Sequence, residues 1–417
     1  MRLSLTFTPL LFGTALTLAA ATAPAKAEDL NIGFIAPMTG GFAQVGKDMV
    51  DGFQLYLDEV NGEFAGAKVK FILEDDQAKP DLGVTKAKKL ILSDKVQMFV
   101  GGVLASTGYA LAPVSTAEKT VYLASVPASD DLTQRDASKY PYFFRTGWAS
   151  SQPHHALGAW ACEQGYKKVV GVAADYAFGY EALGGFQKAF EDCGGKVIQK
   201  IWPTLGNKDF GPYISTIKAD ADAVFSLMVG PMAAQFPKQL RAAGFKKTIL
   251  GGGTSYDEFA LPFMTEEVIG DISALQYSAA LETPANEAFV KKYRAKYGKV
   301  PSYFSESNYS TAKMIHEVFK QTGGKWPGPE KFVQMMGALK IDTPRGPVSF
   351  DDLRNPIHNI YIKKVEKKQL FGYDKPELWN TVVKTYPNVS QFWTYGKEKF
   401  LAQPVYSREF PPCKFCE

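Results

Sequence analysis

From Asp29 onward the chain alternates short β-branched runs with longer amphipathic stretches, and it does so twice. "LNIGFIA" leads into "QVGKDMVDGFQLYLDEVN", where Met49, Phe53, Leu57 and Val60 share one helical face. "KVKFILED" leads into "DLGVTKAKKLILSD", and "VQMFVGG" into a loop of small residues. Apolar strands separated by crossover-length helices predict a parallel sheet covered on both faces. The rhythm restarts at "KKVVGVAAD" and runs on through "KVIQKIWP", "ADAVFSLMVG" and "KTILGGG". The expected fold is therefore α/β, with two Rossmann-like lobes, which also suits a chain of 417 residues, long for one core.

The lobes join near "PYFFRTGWASSQP", where a short strand meets a hydroxyl-rich turn at Ser150 and Ser151. From about Asp271 the pattern changes to the strand-like "DISALQYSAA", helices over 285–297, 303–321 and 329–338, then "RGPVSFDD" and "HNIYIKKVE". A chain that returns to the first lobe and crosses back once more accounts for this order, with three interlobe strands as a hinge. The boundaries expected are 28–146 with 275–350 for the first lobe and 147–274 with 351–417 for the second. Beyond Leu370 the tail is aromatic and proline-rich, with little periodicity, and is expected to wrap the outside of one lobe.

Ahead of all this stand Arg2, an apolar run and Ala25-Lys26-Ala27, an A-x-A cleavage pattern. Residues 1–27 read as a secretory signal peptide, too short and too interrupted by Pro9 and Pro24 for a membrane span of about 20 residues. Its removal leaves 390 residues and lowers the formal charge from +4 to +2. With no basic tract, a nucleic-acid partner is not expected.

Export permits disulfides. Cys162 and Cys193 fall at similar points of two successive predicted helices, so a bridge between them is sensible. Cys413 and Cys416 lack the second ligand pair of a metal site and the strand-to-helix setting of a redox motif, which leaves a structural bridge or two idle thiols. The chain has no G-x-S-x-G elbow, no phosphate-cradling G-x-x-x-x-G-K-[ST] loop and no H-E-x-x-H helix. Of its four histidines, His154 and His155 are adjacent and diverge by about 100° on a helix, which does not suit chelation. Neither catalytic residues nor a metal or cofactor are expected.

"FVGGVLASTGYALAP" places Gly101, Gly102, Ser106 and Thr107 between a strand's carboxyl end and a helix start. That is where ligands of open parallel sheets sit, and where first-turn N–H groups without intrahelical partners favour an anion. N-capping alone explains one of the hydroxyls. A second loop, "VYLASVPASDDLTQ", repeats the arrangement at Ser125, Pro127, Ala128, Ser129 and Asp130 on the same sheet edge. Two such loops form a donor-lined shelf suited to a carboxylate, since phosphate is more often met by Lys or Arg.

These stretches, with "NIGFIAPMTGGFAQVGKDMVDGFQLYLDEVNG", "FFRTGWASSQ" and "AADYAFGYEALGGFQKAFEDCGGKV", resemble the periplasmic branched-chain amino acid-binding proteins, the type I solute-binding components of ABC uptake transporters. The resemblance spans nearly the whole mature chain. It implies two lobes joined by three crossovers, a ligand trapped between them, and membrane permease subunits as partners. It assigns the ligand carboxylate to Ser106 and Thr107 in the first loop and Ala128 and Ser129 in the second, flanked by Leu104 and Ala105, and it makes Phe178, with Tyr176 beside it, a second-lobe wall.

Two departures bear on the ligand. Val45 stands where the family often has an aromatic wall, which enlarges the pocket. After "TILGG" the family's amino acid binders place an acid for the ligand ammonium; here Gly252, Gly253, Thr254 and Ser255 precede the first acid, Asp257. A buried ammonium without a counter-charge is costly, which opens an acid lacking the α-amino group, an aromatic one among them, beside an amino acid or amino-acid-like ligand. Thr254 and Phe304 are expected near it, and Glu306 either there or in a capped helix start. The expected function is a periplasmic, monomeric substrate-binding protein for a small carboxylate. The alternatives are a ligand-sensing module that feeds a receptor and a secreted α/β hydrolase.

Overall fold

The computed structural model describes residues 1–6 and 29–416; the expected leader lies, beyond its first six residues, outside them. The first lobe is built on β1 (Leu30–Ala36), β2 (Glu63–Phe64), β3 (Ala67–Asp75), β4 (Met98–Gly101), β5 (Val121–Ala124) and β6 (Phe143–Arg145), in the order β2-β3-β1-β4-β5-β6. All pairs are parallel except the β2–β3 hairpin. Helices α1 (Ala43–Glu59), α2 (Pro80–Leu92) and α3 (Ala105–Ala117) connect the strands. Strands β4 and β5 are buried at every residue, the reason they read as unbroken apolar runs. In α1, Met49, Phe53 and Leu57 are buried as the periodicity requires, while Val60 caps the helix half-buried.

The second lobe repeats the plan with β7 (Lys168–Ala173), β8 (Lys196–Ile201), β9 (Ala223–Leu227), β10 (Ile249–Gly251) and β11 (Ile272–Leu275), linked by α4 (Ser151–Glu163), α5 (Ala177–Asp192), α6 (Gly211–Ile214) and α7 (Met232–Ala242). Its sheet, order β12-β13-β14-β11-β10-β9-β7-β8, gains β12 (Ile341–Thr343), β13 (Gly346–Phe350), β14 (Pro356–Lys368) and, alongside β14, β15 (Glu377–Val389). Between β11 and β12 the chain returns to the first lobe as α8 (Pro284–Tyr297), α9 (Tyr303–Thr322) and α10 (Pro329–Gly337). Ser302 Oγ donates to Asp48 of α1 at 2.7 Å and Tyr297 Oη to the Asp51 carbonyl at 2.9 Å, which fastens this insertion to α1. Ser302 caps α9 by accepting from Ser305 N–H, and Gly323 ends it in the left-handed region. The chain thus passes between the sheets three times. The crossing expected at residue 350 falls between β13 and β14, which pair with each other.

Sequence periodicity missed β15. Only three of its interior residues are buried in succession, and the β14–β15 register shifts between His358 and Ile360 and again between Ile362 and Lys363, so no clean alternation survives. Past β15 the tail, with α11 (Lys397–Leu401), lies on α4 and α5: Tyr406 Oη meets His155 Nε2 at 2.9 Å, and Gln187 donates to the Pro412 carbonyl at 2.9 Å. Cys162 and Cys193 are joined, tying the ends of α4 and α5, and so are Cys413 and Cys416.

Candidate functional site

In each sheet the strand order reverses beside the first strand of the lobe, at β1/β4 in one and β7/β9 in the other. Crevices open beyond the carboxyl ends at such points, and the two face each other across the lobes. Between them lies a narrow cavity. Four first-lobe strand ends contribute: Phe42 after β1, Val103, Leu104 and Ala105 after β4, Val126 and Ala128 after β5, and Trp148 after β6. Facing them are Tyr176 and Phe178 after β7, Val229 and Gly230 after β9, Thr254 after β10, and Tyr303 and Phe304 at the start of α9.

The first-lobe shelf is made by backbone. Gly101 and Gly102 have φ of +112° and +75°, a left-handed pair that turns the chain off β4 and aims it into α3. Leu104 precedes α3 without a side-chain cap, leaving the N–H groups of its first turn, from Ala105 onward, to whatever enters the cavity. The second loop is locked to the first because Ser129 Oγ donates to the Ala105 carbonyl at 2.6 Å. Buried Arg145 holds that loop from behind, donating to the carbonyls of Pro127 (2.7 Å) and Ser129.

Of the residues singled out from sequence, Leu104, Ala105, Ala128, Phe178, Thr254 and Phe304 line this cavity; Ser106, Thr107, Ser129 and Val45 do not. Thr107 is buried with its methyl toward Gly83 and Gly102, and its hydroxyl has no partner among the described residues. Ser129 has committed its hydroxyl to the loop, and Ser106 stands half-buried outside the lining. The shelf therefore offers two alanines and main chain where side-chain hydroxyls were expected. Val45 lies one turn beyond Phe42 on the same face of α1 and borders a different, outer chamber. Glu306 is wholly buried in α9, 3.3 Å from Arg345, whose guanidinium also donates to the carbonyls of Thr146 (3.0 Å) and Gly147 (3.2 Å) at the first crossover.

Phe42, Trp148 and Tyr303 escaped the sequence reading. The signal that could have found them is position, since each follows a strand end or opens the helix that faces one. Trp148 sits edge-on to Phe178 (5.4 Å) and Tyr303 (6.0 Å), and its indole N–H is buried without a partner among the described residues. His154 lies behind it, accepting from Gly253 N–H at 3.2 Å; burial lowers its pKa to about 4, so it is neutral. Burial holds the hydroxyls of Tyr176 and Tyr303 well above the usual phenol range, so both stay protonated.

No Asp, Glu, Lys, Arg or His is among the fourteen lining residues, and six of the fourteen are aromatic. Asp257, the first acid after β10, is spent elsewhere: its carboxyl accepts from Tyr303 N–H (3.0 Å) and Phe259 N–H (3.2 Å). An ammonium would find no counter-charge here. An anion finds the open first turn of α3, and a ring finds edges and faces on every side.

The family model for periplasmic binding proteins matches residues 29–369. A Leu/Ile/Val-binding protein homolog 6 from Brucella melitensis is 28% identical over 367 residues, covering 86% of this chain and 93% of that protein. Among solved structures, a solute-binding protein of an ABC transporter from Rhodopseudomonas palustris BisB5, in complex with 3,4-dihydroxybenzoic acid, is 32% identical, with a TM-score of 0.81 and coverage of 87% of this chain and 98% of that one. A second R. palustris solute-binding protein, in complex with 4-hydroxybenzoate, is 28% identical with a TM-score of 0.80, covering 88% and 99%.

Proposed function

From the premise that this chain belongs to the periplasmic binding proteins, in the branched-chain amino acid-binding group of ABC-transporter solute-binding components, we propose that its ligand is an aromatic carboxylic acid without an ammonium group. The observation that carries this is the cavity's lining: six aromatic side chains and no charged one. Burying an amino acid's ammonium there would cost several kcal/mol, roughly the penalty of an unpaired buried ion. The carboxylate is received by the N–H groups of the α3 first turn and the second loop, a dipolar site worth about 0.3–2 kcal/mol beyond its hydrogen bonds. The hydroxybenzoates held by the R. palustris proteins support the same class.

Capture follows from the two-lobe plan. The acid docks on the first-lobe shelf, recruits Phe178 and Thr254 from the second lobe, and shifts the population toward the closed form, which permease subunits recognise. No described helix is long and apolar enough to cross a membrane. The signal read over residues 1–27 delivers the protein to the periplasm. The crossings at 146–150, 276–283 and 338–340 serve as the hinge.

The test is calorimetry on refolded, ligand-free protein with benzoate, 4-hydroxybenzoate and leucine. Both benzoates should bind, and Phe178→Ala should weaken them by about 2 kcal/mol, the burial of one aromatic side chain. Leucine binding more tightly than either benzoate overturns the assignment.

A further inference from the structure

Outside the ligand cavity lies a second chamber between the lobes, about 940 Å³ and partly open to solvent. Its walls are apolar and come from both lobes: Val45, Pro231, Ala234, Phe259, Ala260 and Phe263. Gln44, Gln235 and Lys238 supply its polar fittings. Phe263 is 70% exposed, a large apolar side chain left facing water, and the Gln235 carbonyl oxygen is buried without a partner among the described residues. The chamber shares Gly230 with the ligand cavity, so the two are neighbours across a single residue.

What separates them is thin. Gly230 has φ +53°, and a Cβ built on it would stand 2.9 Å from Phe42 Cε1, so the Phe42 ring closes against bare backbone. Phe42 is half-buried and precedes α1, directly after Gly40 and Gly41; Gly40 has φ +79° and open space around it. A ring on such a stem can leave its place without unpacking a helix. Val45, the next residue on that face, is too small to refill the gap.

Resting on the aromatic-acid reading, we infer that the two chambers form one site and that the cargo is an acid with an apolar extension. The carboxylate and first ring occupy the inner cavity. The extension passes the Phe42 and Gly230 partition and lies along Val45, Ala234 and Phe259. Phe42 is the gate, and Val45 sets how long an extension is accepted.

The inference is tested by titrating the mature chain, stripped of ligand, with benzoate, 4-ethylbenzoate and 4-butylbenzoate. Wild type should gain affinity with length, by up to about fourfold per methylene buried. Val45→Phe should leave benzoate within about twofold and weaken 4-butylbenzoate by roughly tenfold or more, the equivalent of about two methylenes. Ala234→Phe, on the half-exposed opposite wall, should do the same and serves if Val45→Phe folds poorly. Benzoate binding with rejection of the longer acids, or variants that weaken all three equally, overturns the inference and leaves the aromatic-acid reading standing. Failure of all three acids with wild type overturns both.

Discussion

Two regions between the same two lobes are equally buried and built from opposite materials. The ligand cavity holds no ionisable charge apart from its tyrosines. The zones that flank it are crowded with buried carboxyls: Asp257 over the start of α9, Asp130 against Ser151 N–H (3.1 Å), and Glu181 accepting from Tyr109 Oη at 2.7 Å. Tyr109 belongs to the first lobe and Glu181 to the second, so that bond exists only while the lobes are together. The difference teaches a division of labour. Recognition uses rings and main-chain dipoles, which accept an acid at little desolvation cost to the protein. Closure uses carboxyl hydrogen bonds, which are directional and so fix how the lobes meet.

The largest effect should come from the hinge. Arg345→Met leaves Glu306 in a fully buried place with the Ser310 hydroxyl (2.5 Å) as its remaining side-chain partner, and urea unfolding should report a loss of about 3–5 kcal/mol. A loss below about 1 kcal/mol would mean that this pair is no more than filler. Asp257→Ala comes next. It removes the second lobe's acceptor for the Tyr303 N–H at the α9 N-terminus, at a cost of about 1–3 kcal/mol for the unpaired donor, and stopped-flow displacement should show ligand release accelerated by roughly tenfold. Unchanged release would sever closure from the carboxyl zone.

A third test uses pH. Burial pushes the Asp130 carboxyl from 3.8 up to about 7, and burial together with Asp130 pushes Glu181 well up. The groups facing them are Tyr109, Asp131, Arg135, Arg145, Tyr176 and Tyr406. Arg135 is paired with Asp131, which leaves Arg145 opposite two carboxyls. A raised carboxyl pKa means that the native state holds the proton more tightly than the unfolded chain does. Its contribution is full below about pH 4 and is lost as pH rises toward 7. Thermal unfolding should therefore show this zone's support falling between about pH 4 and 7, with Glu181→Gln flattening the slope; a slope unaffected by that change would place the titration elsewhere. The smallest effect belongs to the outer rim, where Arg294 grips Glu377 at 2.8 Å with both partly exposed. Glu377→Gln should cost less than about 1 kcal/mol and less still in high salt.

Much of the architecture was legible because parallel strands buried on both faces must be apolar throughout. The helices expected at 285–297, 303–321 and 329–338 are found at Pro284–Tyr297, Tyr303–Thr322 and Pro329–Gly337, marked by the proline and serine that open them and the glycines that close two of them. Strand β15 was hidden because its partner, β14, supplies the reason for its existence. At the site, the two loops were legible as small residues after strand ends, but the direction of each hydroxyl was not. Ser129 turned inward to Ala105 and Thr107 turned toward Gly102, decisions made by neighbours distant in sequence.

The sequence by itself determined the doubly wound lobes, the order of crossings, the placement of main-chain donors at the mouth of α3 and the missing counter-charge after β10. These are local matters of periodicity, helix-start chemistry and residue identity. Only the tertiary structure decided that Phe42 rather than Val45 walls the ligand cavity, that Trp148 and Tyr303 complete it, and that Asp257 caps a helix across the cleft. Each of those depends on which surfaces meet when two lobes close, and no periodicity along one strand or helix encodes the partner it will face.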